Sequence, residues 1–369
     1  MIEVNKERVI KEFIELCSID SETGNEKNIA DKLVTILENM GLTVRKEEAT
    51  AAETNGYNIH VYVPGEMEGE PYLLSAHMDT VVPGNGIKPF VKDDVIYSQD
   101  GVILGSDDKS GVEAILEATR VVLENRIPHR SYEIVFSVNE EVGMLGAKSV
   151  DTSKLKSKKC FVLDSSGDVG KVVYGAPGQI KVRAKVIGKA AHGGLAPEKG
   201  ISSITVASKG IAKMNLGRID EETTCNIGEF VSKFPTNIVP DIAELYFEIR
   251  SRDVNKLYAQ TDHMVKCLQD ACDEAGAKLE YTKDVRYIAF LHKLDDEVVK
   301  IALESAERIG CKAYTALGGG GSDAHIYQTK GIECVILGTG MTNAHEKTEC
   351  ITVKNLVDSA RWALDLITH

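Results

Sequence analysis

Apolar residues recur at helical spacing in the first part of the chain and then give way to short apolar runs. Val9, Phe13 and Cys17 fall on one face of a predicted helix, and a second helix is predicted over 29–40, where Gly41 ends it. Strands are predicted at 57–63, 72–76, 132–138 and 160–163, with a helix over 111–124 among them. This alternation of helices and short strands predicts an α/β domain with a mostly parallel central sheet.

The pattern changes after Ala176. Apolar and polar residues alternate from 180 to 187, which is typical of a strand with one wet face, and the order strand-helix-strand-strand-helix-strand follows up to 281. From 296 the α/β alternation resumes with a helix, a glycine-rich loop, a strand at 334–337 and a C-terminal helix. We therefore predict one α/β domain formed by 1–176 and 287–369, interrupted by a smaller α+β domain, 177–286. The acidic stretch 65–70 is predicted as a turn.

Length and composition narrow the class of protein. A chain of 369 residues exceeds the size at which one core stops growing, which favours two domains. The net charge of -13 argues against a general nucleic-acid binder, which presents a basic surface. The chain shows neither a membrane-spanning run nor a secretion signal, and its eight scattered cysteines form no C-x-x-C pair. We expect a cytoplasmic protein with free thiols and no membrane partner.

Metal-compatible side chains follow the predicted strands at five places. They are His77 with Asp79, Asp107 with Asp108, Glu140 with Glu141, Asp164, and His345. Sites in open α/β sheets form beyond the carboxyl ends of the strands. Two imidazoles with several carboxylates suit a pair of zinc-like cations and disfavour calcium. Adjacent glutamates suit such a site because one can bind a cation while the other accepts a proton from the attacking water.

The motifs H-M-D-T-V, G-S-D-D-K-S-G, N-E-E-V-G, V-L-D-S and N-A-H-E-K resemble, in order and approximate spacing, those of the di-zinc exopeptidases. That family includes peptidase T, glutamate carboxypeptidase and aminoacylase. The segments D-D-K-S-G and G-K-A-A-H-G-G particularly resemble the peptidase T group. The resemblance covers essentially the whole chain. It implies a catalytic α/β domain and an inserted α+β domain that acts as a lid and often dimerises.

The resemblance also implies a ligand set. One zinc ion is expected on His77 and Asp164, and the second on Glu141 and His345. Asp107 is expected to bridge the two ions. Cobalt and manganese remain alternatives to zinc. Asp108 is left out of the set, because capping of the helix that starts near Lys109 explains it.

Further roles follow from the same resemblance. Asp79 is expected to orient His77, and Glu140 to be the general base. His192, in A-A-H-G-G, is expected to stabilise the oxyanion, in a family where this histidine reaches the site of a neighbouring subunit. In the lid, Asn237 and Arg250 are expected to hold the substrate.

Arg252 is an alternative to Arg250, since the two share one strand face. The run Gly318–Gly321 lacks the Gly-Lys-Ser/Thr ending of a nucleotide loop. Its glycines either let the backbone approach a substrate or form a tight turn.

We expect a peptidase T-like, tripeptide-aminopeptidase type of enzyme that acts on short peptides, as a homodimer through the inserted domain. Two other functions stay open on the same scaffold, a deacylase of N-acyl amino acids and a carboxypeptidase. A catalytically silent metal-binding protein is a third alternative, which the complete ligand set and the presence of Glu140 disfavour.

Overall fold

The computed structural model describes residues 3–369, which fold into alternating helices and strands. The α-helices are α1 Lys6–Cys17, α2 Lys27–Asn39, α3 Ser106–Asn125, α4 Leu145–Ser149, α5 Ser203–Ala212, α6 Val254–Ala275, α7 Glu297–Arg308, α8 Asp323–Thr329 and α9 Val353–Thr368. Strands β1 to β10 are Val44–Glu47, Asn58–Val63, Met67–His77, Phe90–Lys92, Val95–Tyr97, Arg130–Ser137, Lys159–Ser165, Lys171–Ala176, Gly178–Ile187 and Ala191–His192. Strands β11 to β20 are Gly217–Arg218, Thr223–Val231, Ile238–Val239, Ile242–Ser251, Lys278–Tyr287, Phe290–Leu291, Tyr314–Leu317, Glu333–Gly338, Met341–Thr342 and Cys350–Thr352.

The described chain divides into two compact units. The first consists of residues 3–175 and His292–His369, and the second of Ala176–Leu291. Each unit has its own cluster of buried apolar side chains.

The first unit is built around a mixed sheet with the strand order β1-β2-β6-β3-β7-β18-β8, and β17 pairs with β8. The central strands β6, β3, β7 and β18 are parallel to one another. Strands β1, β2 and β8 join this block through antiparallel pairs. The predicted α/β fold is thus confirmed, and its parallel part is the part that ends at the candidate ligands.

Both faces of this sheet are covered. On one face, Leu74 of β3 and Phe136 of β6 belong to the same core as residues of α1, α3 and α9. On the other face, the Ser75 hydroxyl lies 3.3 Å from the Tyr327 hydroxyl of α8. Each fully buried Leu or Phe contributes roughly 1.5–3 kcal/mol to folding, so the central strands are held firmly from both sides.

The pattern at 65–70 was interpreted wrongly as a turn. Strand β3 already begins at Met67, and Met67 pairs with Arg130 of β6. The exposed positions of this strand carry the glutamates, so the acidic composition reflects a solvated end of a long strand.

The second unit is an antiparallel sheet in the order β11-β12-β14-β9-β15. Its inward residues, such as Val182 and Phe247, pack with Leu257 and Leu268 of α6. The alternation of apolar and polar residues over 180–187 therefore predicted both the strand and its buried face correctly.

Candidate metal centre

Three neighbouring parallel strands of the central sheet have candidate ligands at or just after their carboxyl-terminal ends. His77 is the last residue of β3, and Asp164 is the last but one of β7. Glu140 and Glu141 follow β6, which ends at Ser137. Because β6 and β7 both pair with β3 in parallel, the carboxyl-terminal ends of the three strands lie side by side.

The His77 imidazole is held from one side and points into the cluster with the other. Its Nδ1 lies 3.0 Å from the Asp79 backbone oxygen and 3.4 Å from Asp79 Oδ1. Its Nε2 lies 3.0 Å from Asp107 Oδ1 and 3.7 Å from Asp164 Oδ1. With Nδ1 turned toward Asp79, Nε2 is the ring atom that meets the carboxylates.

His345 lies beside the other oxygen of Asp107. Its Nε2 is 3.2 Å from Asp107 Oδ2 and 3.0 Å from Glu141 Oε1. Asp107 therefore has one oxygen next to each imidazole. One ligand atom each from His77, Asp107 and Glu141 lies within 4.8 Å of the others. The structure thus brings the five expected metal ligands together.

Asp108 belongs to the same cluster, although it was left out of the expected ligands. One atom each from His77, Asp108 and Asp164 also lies within 4.8 Å of the others. The capping interpretation is supported as well, since Asp108 Oδ1 accepts from the Gly111 amide at 3.1 Å. Asp108 Oδ2 lies 3.3 Å from the His77 amide, which donates to it. Both carboxylate oxygens are therefore engaged by the backbone.

A network of hydrogen bonds sets the turn that presents the two glutamates. Asp79 Oδ1 accepts from the Glu140 amide at 2.9 Å, and Asp79 Oδ2 accepts from the Glu141 amide at 3.3 Å. Asn139 has a φ of 53°, and its side-chain amide donates to Glu26 Oε1 at 2.5 Å. Asp79 thus contacts both His77 and the glutamate turn.

The surroundings raise the pKa of some site groups and lower the pKa of others. Burial raises the pKa of Glu140 well above its usual range, although the nearby His77 opposes the rise. Burial also raises the pKa of Asp164. Burial acts on Asp107 in the same direction, but its hydrogen bonds with His345 and His77 prevail and lower its pKa. The carboxylates of Asp107 and Glu141 raise the pKa of His345 to about 10.

The donor set fits divalent cations. Glu141 Oε1 is buried without a hydrogen-bond partner among the described residues, even though His345 Nε2 lies 3.0 Å away. A buried carboxylate oxygen and an imidazole nitrogen this close together can both bind one cation. Imidazole nitrogens and carboxylate oxygens are also the donors that zinc, cobalt and manganese accept.

The structure adds supporting residues that the sequence did not single out. Ser322 donates to Asp164 Oδ2 at 2.9 Å, and Asp323 Oδ2 accepts from the Ser137 hydroxyl. Ser322 and Asp323 follow the glycine-rich loop, so this loop connects to the ends of β6 and β7. The only available signal was the pair's place between glycines and a predicted strand. Their partners lie 158 and 186 residues away, which the sequence pattern does not reveal.

The remaining predicted site residues lie in the second unit. His192 and Asn237 are brought close together there, since the Gly193 amide donates to the Asn237 carbonyl at 2.7 Å. His192 Nδ1 accepts from the amides of Gly194 and Leu195 at 3.2 and 3.1 Å. An acceptor at Nδ1 leaves the proton on Nε2 of a neutral imidazole, so His192 presents an N–H donor there.

The two arginines of the second unit differ in their contacts. Arg250 Nε donates to Glu248 Oε1 at 2.9 Å, and Glu248 Oε2 accepts from Gln179 at 2.6 Å. Arg252 donates to the Glu221 carbonyl at 3.0 Å. Arg250 thus contacts a carboxylate on its own strand, whereas Arg252 donates a hydrogen bond to a backbone carbonyl.

Two general features of the described residues bear on the class of protein. Every helix over 3–369 is too short or too polar to cross a lipid bilayer. Each of the eight cysteines carries a free thiol.

The α/β fold and the cluster of imidazoles and carboxylates at its strand ends are features of a candidate metal-dependent enzyme. Residues 73–369 match the model of peptidase family M20/M25/M40, and the chain belongs to this family. It is therefore a hydrolase of the M20 type.

Solved structures and a curated relative are similar to this chain over nearly its whole length. A tripeptidase from Staphylococcus aureus is 41% identical, with a TM-score of 0.96, over 99% of this chain and 98% of that one. The aminopeptidase PepT from Bacillus cereus is 40% identical, with a TM-score of 0.93 and the same coverage. YqjE of Bacillus subtilis, an uncharacterized protein, is 40% identical over 99% of this chain and 98% of its own length. A dinuclear metal-binding M20 peptidase from Bacillus subtilis, at 18% identity and a TM-score of 0.75, covers 98% of this chain and 97% of that one and shares the fold.

Proposed function

We propose that this protein is a zinc-dependent aminopeptidase of the peptidase T type, which removes the N-terminal residue from tripeptides. The observation that carries the proposal is the convergence of His77, Asp107 and Glu141, with His345 beside them, at one sheet edge. The tripeptidase and the aminopeptidase PepT, at 41% and 40% identity over nearly the whole chain, support the substrate class.

The residues of the first unit would hold two cations. We assign His77 and Asp164 to one ion, Glu141 and His345 to the other, and Asp107 to both. The separate approach of the two Asp107 oxygens to the two imidazoles supports the bridging role. When bound, such ions polarise a carbonyl and lower the pKa of a water molecule.

Glu140 is the group that we assign to proton transfer. It is buried beside the ligands, and burial raises its pKa above the ordinary value, which is the direction in which enzymes tune a glutamate that acts as a general base. Its carboxylate accepts the proton of the attacking water and then donates it to the amine that leaves. Asp79, which binds the Glu140 amide, keeps this carboxylate next to Glu141.

Substrate contacts are assigned to the second unit. His192 supplies its Nε2–H to the oxyanion, and its two backbone contacts at Nδ1 support this tautomer. Asn237 and Arg250 hold the peptide. Binding of a substrate carboxylate by Arg250 then has to compete with Glu248.

The organisation of the chain is proposed on the same grounds. A catalytic domain of 1–176 and 287–369 carries an inserted domain, 177–286, that acts as a lid and forms a homodimer. Strand β15 supports the dimer because it lies at an edge of its sheet and exposes Val285 by 41%. The free thiols support a reducing, cytoplasmic location.

A peptide-cleavage screen by mass spectrometry tests the proposed function. Protein loaded with zinc, cobalt or manganese is incubated with tripeptides, with the same tripeptides blocked by N-acetylation, and with N-acyl amino acids. We expect loss of the N-terminal residue from free tripeptides alone, abolished by a chelator. Cleavage of N-acyl amino acids or removal of the C-terminal residue would identify the deacylase or the carboxypeptidase instead. Absence of any chelator-sensitive cleavage would contradict an enzymatic role.

A further inference from the structure

Glu349 is a buried carboxylate that the roles above do not use. It is 2% exposed and lies in the first unit, four residues after His345. Its two oxygens accept four hydrogen bonds, and all four donors belong to the short segment 104–107. The donors are the amides of Leu104 at 2.8 Å and Gly105 at 2.7 Å, which reach Oε2, and the Ser106 hydroxyl at 2.6 Å and the Asp107 amide at 2.9 Å, which reach Oε1.

Such an arrangement fixes the path of the backbone through 104–107. Gly105 has a φ of 73°, a conformation that glycine adopts readily, and its amide and that of Leu104 both donate to the same oxygen. Hydrogen bonds to an ionised acceptor are roughly twice as strong as neutral ones. Glutamine has the same length as glutamate, but it cannot replace both acceptor oxygens, because its amide group has only one oxygen.

The same carboxylate joins two segments that carry expected ligands. The Glu349 amide donates to the Glu346 carbonyl at 2.9 Å, and the Glu346 amide donates to the Asn343 carbonyl at 3.0 Å, so 343–349 is a compact turn that contains His345. Strands β19 and β20 close this turn as an antiparallel pair. Glu349 thus links the turn of His345 to the segment of Asp107.

The orientation of Asp107 follows from this link. The Asp107 amide donates a hydrogen bond to Glu349. The Asp107 carboxylate oxygens lie 3.0 Å from His77 Nε2 and 3.2 Å from His345 Nε2. A rotation of the Asp107 peptide would break its hydrogen bond to the buried Glu349 carboxylate and would carry the Asp107 carboxylate away from one imidazole.

We propose that Glu349 is a positioning residue that holds the Asp107 carboxylate between the two imidazoles and thereby sets the affinity for a pair of divalent cations. The inference rests on the proposed function, since it assumes that Asp107 bridges two cations. Glu349 acts through Asp107 and not on the substrate.

Glu133 provides a matched control. It is 1% exposed, and its Oε2 accepts from the Lys156 amide at 2.9 Å, the Ser157 amide at 2.8 Å and the Ser157 hydroxyl at 2.6 Å. Its Oε1 lies 3.1 Å from His60 Nε2. Glu133 therefore ties a backbone segment in the way that Glu349 does, but none of these partners is an expected ligand.

The test compares Glu349→Gln with Glu133→Gln in the full chain by calorimetric titration with Co²⁺ and by the visible absorption of bound Co²⁺. Loss of a residue that orients a ligand typically weakens metal binding by roughly 10–100-fold. We expect that loss and an altered spectrum for Glu349→Gln, and wild-type affinity and spectrum for Glu133→Gln. Wild-type Co²⁺ binding by Glu349→Gln, or equal losses in both variants, would overturn the proposal.

Ser106→Ala is a milder second variant, since it removes one of the four donors and leaves the carboxylate in place. If Glu349→Gln does not fold, this variant decides: weaker Co²⁺ binding with a shifted spectrum supports the proposal, and unchanged binding contradicts it. Measurements on the wild-type protein distinguish a failure of the proposed function from a failure of the role proposed for Glu349. If it binds no cation pair or cleaves no peptide, the proposed function fails, whereas normal wild-type behaviour with unaffected variants refutes the role of Glu349 alone.

Discussion

At the scale of single residues, the adjacent carboxylates of Glu140 and Glu141 have different neighbours. Burial raises the pKa of both Glu140 and Glu141, but Glu141 also has an oxygen 3.0 Å from His345 Nε2, and that imidazole opposes the rise. Asp79 binds the amides of both, so the two side chains start from a fixed backbone. This difference agrees with the proposal that Glu141 is a metal ligand and Glu140 the general base.

Replacement of Glu140 by glutamine tests the base. Glutamine keeps the size of the side chain but accepts no proton, and loss of general-base catalysis costs roughly 10²–10⁴-fold in rate. We expect a fall of that order in kcat for tripeptide cleavage with unchanged metal content, measured by elemental analysis. Glu133→Gln should keep its activity. Near-normal turnover by a metal-loaded Glu140→Gln enzyme contradicts the assignment.

Metal binding should depend on pH through His345. Its pKa of about 10 means that the metal-free imidazole is protonated at neutral pH, and a cation has to displace that proton. Apparent affinity should therefore rise with pH up to about 10, by about tenfold per pH unit for each displaced proton. Calorimetry in buffers of different ionisation enthalpy measures the proton release. His345→Gln should release one proton fewer, and binding without proton release at neutral pH refutes the argument.

The places of the candidate ligands could be predicted from the sequence, because metal-compatible side chains occur at or near the ends of apolar runs. The assignment of His77, Asp164 and Glu141 as ligands, with Glu140 as the base, came from the resemblance to the di-zinc exopeptidases. Glu26 and Glu349 could not be found in that way. Glu349 reaches its donors across 242 to 245 residues, and nothing local distinguishes it from a solvated glutamate.

At the scale of elements, close packing of α3 on β7 brings Asp108 and Asp164 together. Gly111 makes this possible, since a Cβ there would lie 2.2 Å from the Leu163 carbonyl oxygen and 2.6 Å from Asp108 Oδ1. The helix was predicted around 111–124, with a start near Lys109, whereas the structure begins it at Ser106. Asp107 and Asp108 have non-helical backbone angles within this span, which explains the difference.

Gly111→Ala should destabilise the metal-free protein. The added methyl meets backbone that cannot move freely, and such overpacking costs typically about 1–3 kcal/mol. Urea denaturation followed by circular dichroism measures the free energy of unfolding. Gly320→Ala is the control, because a Cβ at Gly320 meets nothing within 4 Å. Equal stability of the two variants would show that α3 does not need a glycine at this position.

Long periodic elements were predicted well, and short ones were missed. The C-terminal helix was expected over 353–367 and runs over Val353–Thr368. The three-residue strands β4, β5 and β20, which form a small sheet with β19, were not predicted. Their pairing depends on residues distant in the chain, and three residues carry too little periodicity to show it.

At the scale of the whole molecule, the change of pattern after Ala176 coincides with a change from a mixed sheet to an antiparallel one. The separate cores show that each unit buries its own apolar side chains.

The proposed homodimer makes a prediction for edge strand β15. Val285→Lys places a charge on an exposed edge and should convert the dimer into a monomer, because edge charges prevent strand pairing. Val91→Lys is the control, since Val91 of β4 in the first unit is exposed by 45%. Sedimentation velocity at micromolar concentration measures the state. A dimer that survives in Val285→Lys would exclude pairing through this edge, and a monomeric wild type would exclude the dimer.

The central claim is that distant segments hold two divalent cations at one edge of the sheet. Anomalous diffraction at the zinc absorption edge, on crystals grown with zinc, tests it most directly. Two peaks are predicted, one against His77 and Asp164 and one against Glu141 and His345, with Asp107 reaching both. A map without peaks beside His77 and His345, or with zinc bound only elsewhere, would contradict the account.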